Sequence, residues 1–272
     1  MMAKRLRSLR WSGVIVLLLM LVGFLNPLIG YDPVADVRGE KYSLLAPSFD
    51  FPLGTDFQGR NVALRCFKAV EAFFFPGLLS ALFAITLGGL LGALIGYRHG
   101  WLTRLIAATL ELVDTLPRMV FLILLCTIWD PSIALISLVT SLLFVPSVAT
   151  LIRRRVEALA SEDHIQAYIA HGFSPVRILS YHILWLQCRA LLIRQGFFIF
   201  AYLVFVETAL SYLDGYGVQE PTPSWGNMIA RVSKGEPSLF PWLAPALILM
   251  ITIAALMQVG DRVAQQSEEV GR

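Results

Sequence analysis

Apolar residues in this chain gather into six long runs, at about 12–30, 74–97, 105–129, 132–151, 192–213 and 240–260. An α-helix needs about 20 such residues to cross a hydrocarbon core roughly 30 Å thick. The pattern therefore predicts an all-α polytopic membrane protein with six transmembrane helices. Three stretches between the runs, at about 31–73, 152–191 and 214–239, are polar enough to lie in water. The chain carries no repeat of about 20–50 residues and no low-complexity linker, so it reads as a single membrane domain over 1–272.

Charge orients these helices. Lys4, Arg5, Arg7 and Arg10 precede the first run, and basic residues favour the cytoplasmic side. Six crossings then place both termini in the cytoplasm, with Arg98, Arg104, Arg153, Arg154 and Arg155, and leave 31–73 and 214–239 outside. The first run is too long for a signal-peptide core and is followed by no A-x-A-like cleavage site, so it is expected to be a retained helix. A composition of 57% apolar and 15% charged residues fits a bilayer, and a net charge of +3 spread over short segments gives no nucleic-acid patch. Cys66, Cys126 and Cys188 form no C-x-x-C pair and imply neither a disulfide framework nor a zinc site.

Two features of the runs leave choices open. In "ELVDTLPRMVF", Glu111, Asp114 and Arg118 fall three and four residues apart on neighbouring turns, which suits mutual pairing at the cytoplasmic interface, although Pro117 would also allow the helix to begin later. A proton relay is the sharper reading of the same charges. Gly88, Gly92 and Gly96 line one smooth helix face suited to close packing, either within this chain's own bundle or against a partner subunit.

The stretch "SEDHIQAYIAHGFSPVRILSYHIL" interrupts the apolar pattern on the cytoplasmic side. Ile165, Tyr168, Ile169 and Gly172 share one face of a short amphipathic helix, Gly172 suits the left-handed residue past its end, and Ser174 can cap a second helix with Pro175 at its first position. Burying a side chain such as Ile165 or Ile169 contributes about 1.5–3 kcal/mol, so the face is expected to dock on something. Lipid headgroups are an alternative to a protein partner. A DNA-binding helix-turn-helix does not fit a weakly basic segment tethered to membrane spans at both ends. His164 and His171 stand seven residues apart, about 10.5 Å along a helix, too far to share one metal ion. No phosphate-binding G-x-x-x-x-G-K-[ST] loop, H-E-x-x-H or G-x-S-x-G motif occurs. Energy for any uphill transport would then come from another subunit or an ion gradient.

Three stretches, "FPLGTDFQGRNV", "DHIQAYIAHGFSPVRILSYHIL" and "ETALSYLDGYGVQEPTPSWGNMI", together resemble the oligopeptide, dipeptide and nickel importer permeases of ATP-binding-cassette systems, in particular the subunit type carrying L-G-T-D-x-x-G-R. The resemblance implies a type I importer permease fold and an inner-membrane subunit that pairs with a homologous permease. It further implies two ATP-binding subunits and an external solute-binding protein as partners. This chain would bind no cofactor of its own and would not be an enzyme, ATP being used by the partners. The middle stretch would be the coupling loop that docks on an ATPase subunit. Asp163, Ile165, Ala167, Tyr168, Ile169, Gly172, Ser174, Pro175 and Arg177 would form it, followed by matches at His182, Ile183 and Leu184. The outer motif is Leu53, Gly54, Thr55, Asp56, Gly59 and Arg60, and the outer loop contributes Glu207, Gly217, Pro221, Pro223, Trp225, Gly226 and Asn227. Departures from the family pattern stand at Asn61, Tyr168, Ile169, Leu184–Leu186, Asp214 and Tyr216. The translocated solute is expected to be a peptide or similar small solute, nickel complexes among the possibilities. The rival reading is a proton-coupled secondary transporter using Glu111, Asp114 and Glu207.

Overall fold

The computed structural model describes residues 2–28, 30–98, 100–160, 162–213, 216–231 and 239–270. Asp214 and part of the 214–239 loop lie outside the described residues. The helices are, in order, α1 (Met2–Leu25), α2 (Val62–Lys68), α3 (Val70–Tyr97), α4 (Trp101–Asp114), α5 (Arg118–Ile128), α6 (Ile133–Ala160), α7 (Asp163–Ala170), α8 (Pro175–Arg177), α9 (Arg189–Tyr212), α10 (Trp225–Ala230) and α11 (Phe240–Val270). A π-helix, Ile178–Trp185, continues directly from α8. Among the described residues the isolated antiparallel bridge Thr55–Asn61 lies outside this helical pattern.

Five segments are long and apolar enough to cross a membrane: Trp11–Leu28, Val62–Tyr97, Ile133–Ala160, Arg189–Tyr212 and Phe240–Ser267. The expected third span, 105–129, differs: it is divided into α4 and α5, and the 11-residue α5 rises only about 16 Å. Pro117 is the cause. It lacks a backbone N–H, and its ring disfavours helical geometry at the residue before it. The Thr115 hydroxyl closes α4 by donating to the Leu112 carbonyl at 2.7 Å, and α5 restarts with the Phe121 N–H on the Pro117 carbonyl at 3.1 Å. In the 152–191 segment the expected helix, turn and second helix are present as α7 and α8, and the preceding helix α6 runs past the expected end of its span to Ala160.

The chain divides into two compact units. One comprises Met1–Leu78, Leu122–Ser137 and Ala201–Leu256; the other comprises Leu79–Phe121, Leu138–Phe200 and Met257–Arg272. In the first, Val62, Cys66 and Met228 form a buried cluster against Leu53, Ala244 and Ile248. Phe24 on α1 meets Phe74 and Phe75 edge-on at 5.3 and 5.7 Å. Buried Asn26 donates to the Phe67 carbonyl at 2.6 Å, so α1 is tied to α2 by both packing and a hydrogen bond.

In the second unit the structure answers which helix receives the glycine face of α3. A Cβ added at Gly88 would lie 2.6 Å from the Val148 Cβ, and one at Gly96 would lie 2.8 Å from the Arg153 carbonyl; Gly92 approaches the α6 backbone at Ala149. Val148, Ile152 and Val156, four residues apart, are fully buried in this contact. The glycines therefore serve this chain's own bundle, where small residues let two helix backbones approach. Gly92→Leu should force these helices apart and destabilise the protein by at least about 1–3 kcal/mol, the range for overpacking. Thermal unfolding in detergent checks this, with Gly13→Ala, whose added methyl meets nothing within 4 Å, expected to behave as wild type.

Candidate functional site

The L-G-T-D-F-Q-G-R segment folds around one carboxylate. Asp56 Oδ1 accepts from the backbone N–H groups of Gln58 and Arg60, both at 2.9 Å, while Oδ2 accepts from Arg60 Nε at 2.7 Å. Gly54 and Gly59 have φ of +76° and +74°, in the left-handed region that favours glycine. At Gly54 there is also no room, since an added Cβ would lie 2.5 Å from the Leu45 carbonyl. Thr55, fully buried, accepts from Leu45 N–H at 2.8 Å, and Leu53 packs on the Val62 cluster. Asn61, where the resemblance expects aspartate, caps α2 by accepting from Ala63 N–H at 2.9 Å.

The P-T-P-S-W-G-N segment is built the same way. Ser224 and Asn227 cap α10 reciprocally, each side chain bonded to the other's backbone at 3.2 Å, and Asn227 Nδ2 also donates to the Thr222 carbonyl at 2.9 Å. Trp225 is buried, donates from Nε1 to the Cys66 carbonyl at 3.1 Å, and packs on Phe73 with ring centroids 4.7 Å apart. Gly226 and Gly217 lie against α9 at Thr208 and Ser211, where any side chain would collide. Ser211 Oγ donates to Glu207 at 2.7 Å and accepts from Val218 N–H at 2.8 Å, so Glu207, fully buried, positions the loop from within α9. Pro223 is buried and Pro221 is exposed.

An ion cluster that the sequence reading missed joins these two segments. Glu220 meets Arg60 at 3.2 Å, Arg65 at 3.2 Å and Arg231 at 2.6 Å, while Asp56 lies 3.6 Å from Arg65. Arg231 also stacks over the Phe57 ring at 3.8 Å. Arg60 and Arg65 are almost wholly buried, so each guanidinium depends on these carboxylates. No local pattern marks Glu220, which is 155 to 160 residues from its partners Arg65 and Arg60. Burial alone would raise the Glu220 carboxyl, but the Arg231 hydrogen bond and the charges of Arg65, Arg60 and Arg231 outweigh it and hold it below the usual range.

In the stretch that interrupts the apolar pattern, α7 ends in a complete Schellman turn. Gly172, at φ +78°, donates to the Ile169 carbonyl at 3.0 Å, and Phe173 donates to the Tyr168 carbonyl at 3.1 Å. The accompanying apolar contact is the Tyr168 ring against Phe173, 5.5 Å between centroids. Ser174 then accepts from Arg177 N–H at 3.3 Å, with Pro175 at the first helical position. The face pattern differs from expectation. Ile165 is fully buried within the unit, and Tyr168 lies on buried His182 at 4.0 Å, so both face inward. The surface is left to Asp163, Gln166, Ala167, Ile169 and Ala170, with Gly172, Ser174, Pro175 and Arg177 exposed beyond.

The charges around the α4–α5 break are all paired. Asp114 meets Arg118 at 2.5 Å and Ser147 bonds to both; Arg118 also stacks over Phe144 at 4.4 Å. Glu111 pairs with Arg153 on α6 at 2.6 Å instead of with its sequence neighbours. These are pairs that fasten α4 to α6, and none presents a free carboxylate for a relay. Among the described residues no group of three His, Cys, Asp or Glu side chains could hold a metal ion.

A family model for the binding-protein-dependent transport system inner membrane component matches residues 88–268, which include α6 to α10 and both loops after α6. The chain belongs to that family. It is similar to the dipeptide transport system permease protein DppC of Alkalihalophilus pseudofirmus, 27% identical over 250 residues, covering 91% of this chain and 81% of the relative. It is also similar to the oligopeptide transport system permease protein OppC of Haemophilus influenzae, 28% identical over 210 residues, or 76% and 67% of the two chains, and to that of Bacillus subtilis, 26% identical over 255 residues, or 91% and 81%. As a member of this family the chain is a multi-pass permease component of a transport complex.

The ion cluster carries a pH dependence with a definite sign. Because the Glu220 carboxyl is lowered on folding, its contribution is present above the ordinary carboxylate pKa and is lost as pH falls through the lowered value. Glu220→Gln should cost about 2–3 kcal/mol, somewhat less than removal of a fully buried partner, because the Glu220 side chain keeps 26% exposure. Melting temperatures of the purified protein across the acid range check both points, with a shallower acid limb expected in the variant.

Proposed function

We propose that this chain is one of two homologous permease subunits in an ATP-driven importer of peptides or similar small solutes in the bacterial inner membrane. Two ATP-binding subunits and an external solute-binding protein complete the complex. The supporting observation is α7: a short exposed helix, locked by the Gly172 turn, that lies inside the matched family region between two long apolar helices. The names of the relatives support peptides as the solute class. The basic residues in the first turns of α1 and at Arg153–Arg155 support cytoplasmic termini and a cytoplasmic α7.

On this reading α7 is the coupling helix. Closure of the ATPase dimer moves the groove that holds Ile169, Ala167 and Asp163. The motion passes into the chain because Ile165 is enclosed on the opposite face and Tyr168 is held by His182 and Phe173. A rigid helix end transmits displacement where a flexible loop would absorb it. The chain itself supplies no nucleotide site; its part is to convert docking energy into a change between inward-open and outward-open states. The outer ion cluster holds the surface that would meet the binding protein.

Ile169→Asp should lower ATP-dependent peptide uptake at least about tenfold by placing a charge in an apolar docking contact. Gly172→Leu should do the same by straining the left-handed turn. Both variants are expected to insert and express normally. Uptake assays on reconstituted complex check this; normal uptake would remove the coupling role, and uptake that persists without ATPase subunits but collapses with the proton gradient would favour secondary transport.

A further inference from the structure

In the second compact unit, α6, α9 and α11 bound a cavity of about 370 Å³ whose lining includes Leu151, Arg194, Gln195, Phe198, Met257 and Asp261. Arg194 and Asp261 form an ion pair at 2.8 Å, yet their side chains are 64% and 52% exposed. Both belong to segments apolar and long enough to cross the bilayer. Charged groups in such segments are costly against lipid and face protein or a water-filled space. A cavity of this size, with Gln195 beside the pair, is of the volume that holds small ligands.

The two helices present the same gradient. Phe198 follows Arg194 by four residues on α9, and Met257 precedes Asp261 by four on α11, so on each helix the charge and the apolar side chain stand one turn apart on one face. The levels also agree. Arg194 lies about 7.5 Å from the start of α9, and Asp261 lies about 31 Å along α11 from Phe240, close to the hydrocarbon thickness. Under the proposed topology both positions fall at the cytoplasmic boundary, with Phe198 and Met257 one turn deeper.

We infer that this cavity is the chain's share of the inner mouth of the solute pathway, with Arg194 and Asp261 as a separable charge pair that selects zwitterionic peptides. When the pair parts, the guanidinium can accept a peptide carboxylate and the Asp261 carboxylate a peptide ammonium, while Phe198, Met257 and Leu151 receive apolar side chains. A single net charge on the solute would leave one member of the pair unmatched, which disfavours singly charged competitors. The inference rests on the import function proposed above.

The test uses the complete reconstituted complex in inside-out vesicles and a membrane-impermeant methanethiosulfonate reagent. Cys66, Cys126 and Cys188 are all buried, so background labelling is low. Gln195→Cys should label in the nucleotide-free state and be protected at least about fivefold by saturating dipeptide or by trapping nucleotide, whereas Leu90→Cys, on an exposed apolar face, should stay unlabelled in lipid. Arg194→Asp should reduce dipeptide uptake about tenfold, and the swap Arg194→Asp with Asp261→Arg should recover most of it. A Gln195→Cys variant that labels in no state, because the partner permease or lipid covers the thiol, would overturn the assignment, as would labelling indifferent to dipeptide and nucleotide. Unchanged uptake in Arg194→Asp would overturn the selective role. If the wild-type complex moves no peptide with ATP, the import reading itself fails, and that result is separate from the labelling pattern.

Discussion

A helix inside hydrocarbon satisfies its own backbone, but the N–H and C=O groups released where it ends must find partners nearby. The most distinctive stretches of this sequence sit at those exits. Asn61 covers the start of α2, and Asn26 takes up the carbonyl released near its end. Ser224 and Asn227 cap α10, and Ser211 on α9 catches the returning chain at Val218. Gly172 and Phe173 close α7 before Ser174 opens the next helix. Residue types that look like functional signatures are thus first the means by which a mostly membrane-bound backbone can turn in a few residues. Their rigidity then becomes available to function, because a fastened turn can carry force or present a fixed surface.

Features governed by local chemistry were legible in the sequence. Long apolar runs located the crossing helices, and Gly172, Ser174 and Pro175 marked the turn after α7, because each acts through its own backbone or that of residues a few positions away. The α3 glycine face was legible as a close-packing surface, although the identity of its neighbour required the structure. The divided third span shows where counting fails. Hydropathy over 105–129 is summed without regard to backbone continuity, while the structure is decided by one missing N–H at Pro117 and a threonine hydroxyl turned back on α4.

The ion cluster was beyond sequence reasoning for a different reason. Arg60, Arg65, Glu220 and Arg231 have no helical or strand spacing that relates them, and only the fold makes Glu220 the shared anion for three guanidinium groups. Such a cluster is a weak source of net stability, since dehydrating the charges offsets much of their attraction, but it is a strong constraint on geometry. With two carboxylates serving three arginines, displacing either loop leaves a buried cation unmatched. The same logic applies to Glu111, whose pairing with Arg153 fixes α4 against α6 although nearer partners exist in the sequence.

The α7 segment shows how structure redistributes meaning among neighbouring residues. Tyr168 stands where the family resemblance expects alanine, which by itself suggests a bulkier docking surface. The ring instead turns inward onto His182, and its other neighbour, Phe173, belongs to the turn that ends α7. A larger side chain at that position therefore fills the base of the helix and leaves its outer face narrow. Ile169, also a departure from the family pattern, remains 44% exposed beside Ala167 and Ala170. Of the two departures, Tyr168 thus fixes how firmly α7 is mounted, while Ile169 beside it points the other way and stays at the surface; under the proposed coupling role, mounting and recognition would reside in adjacent residues.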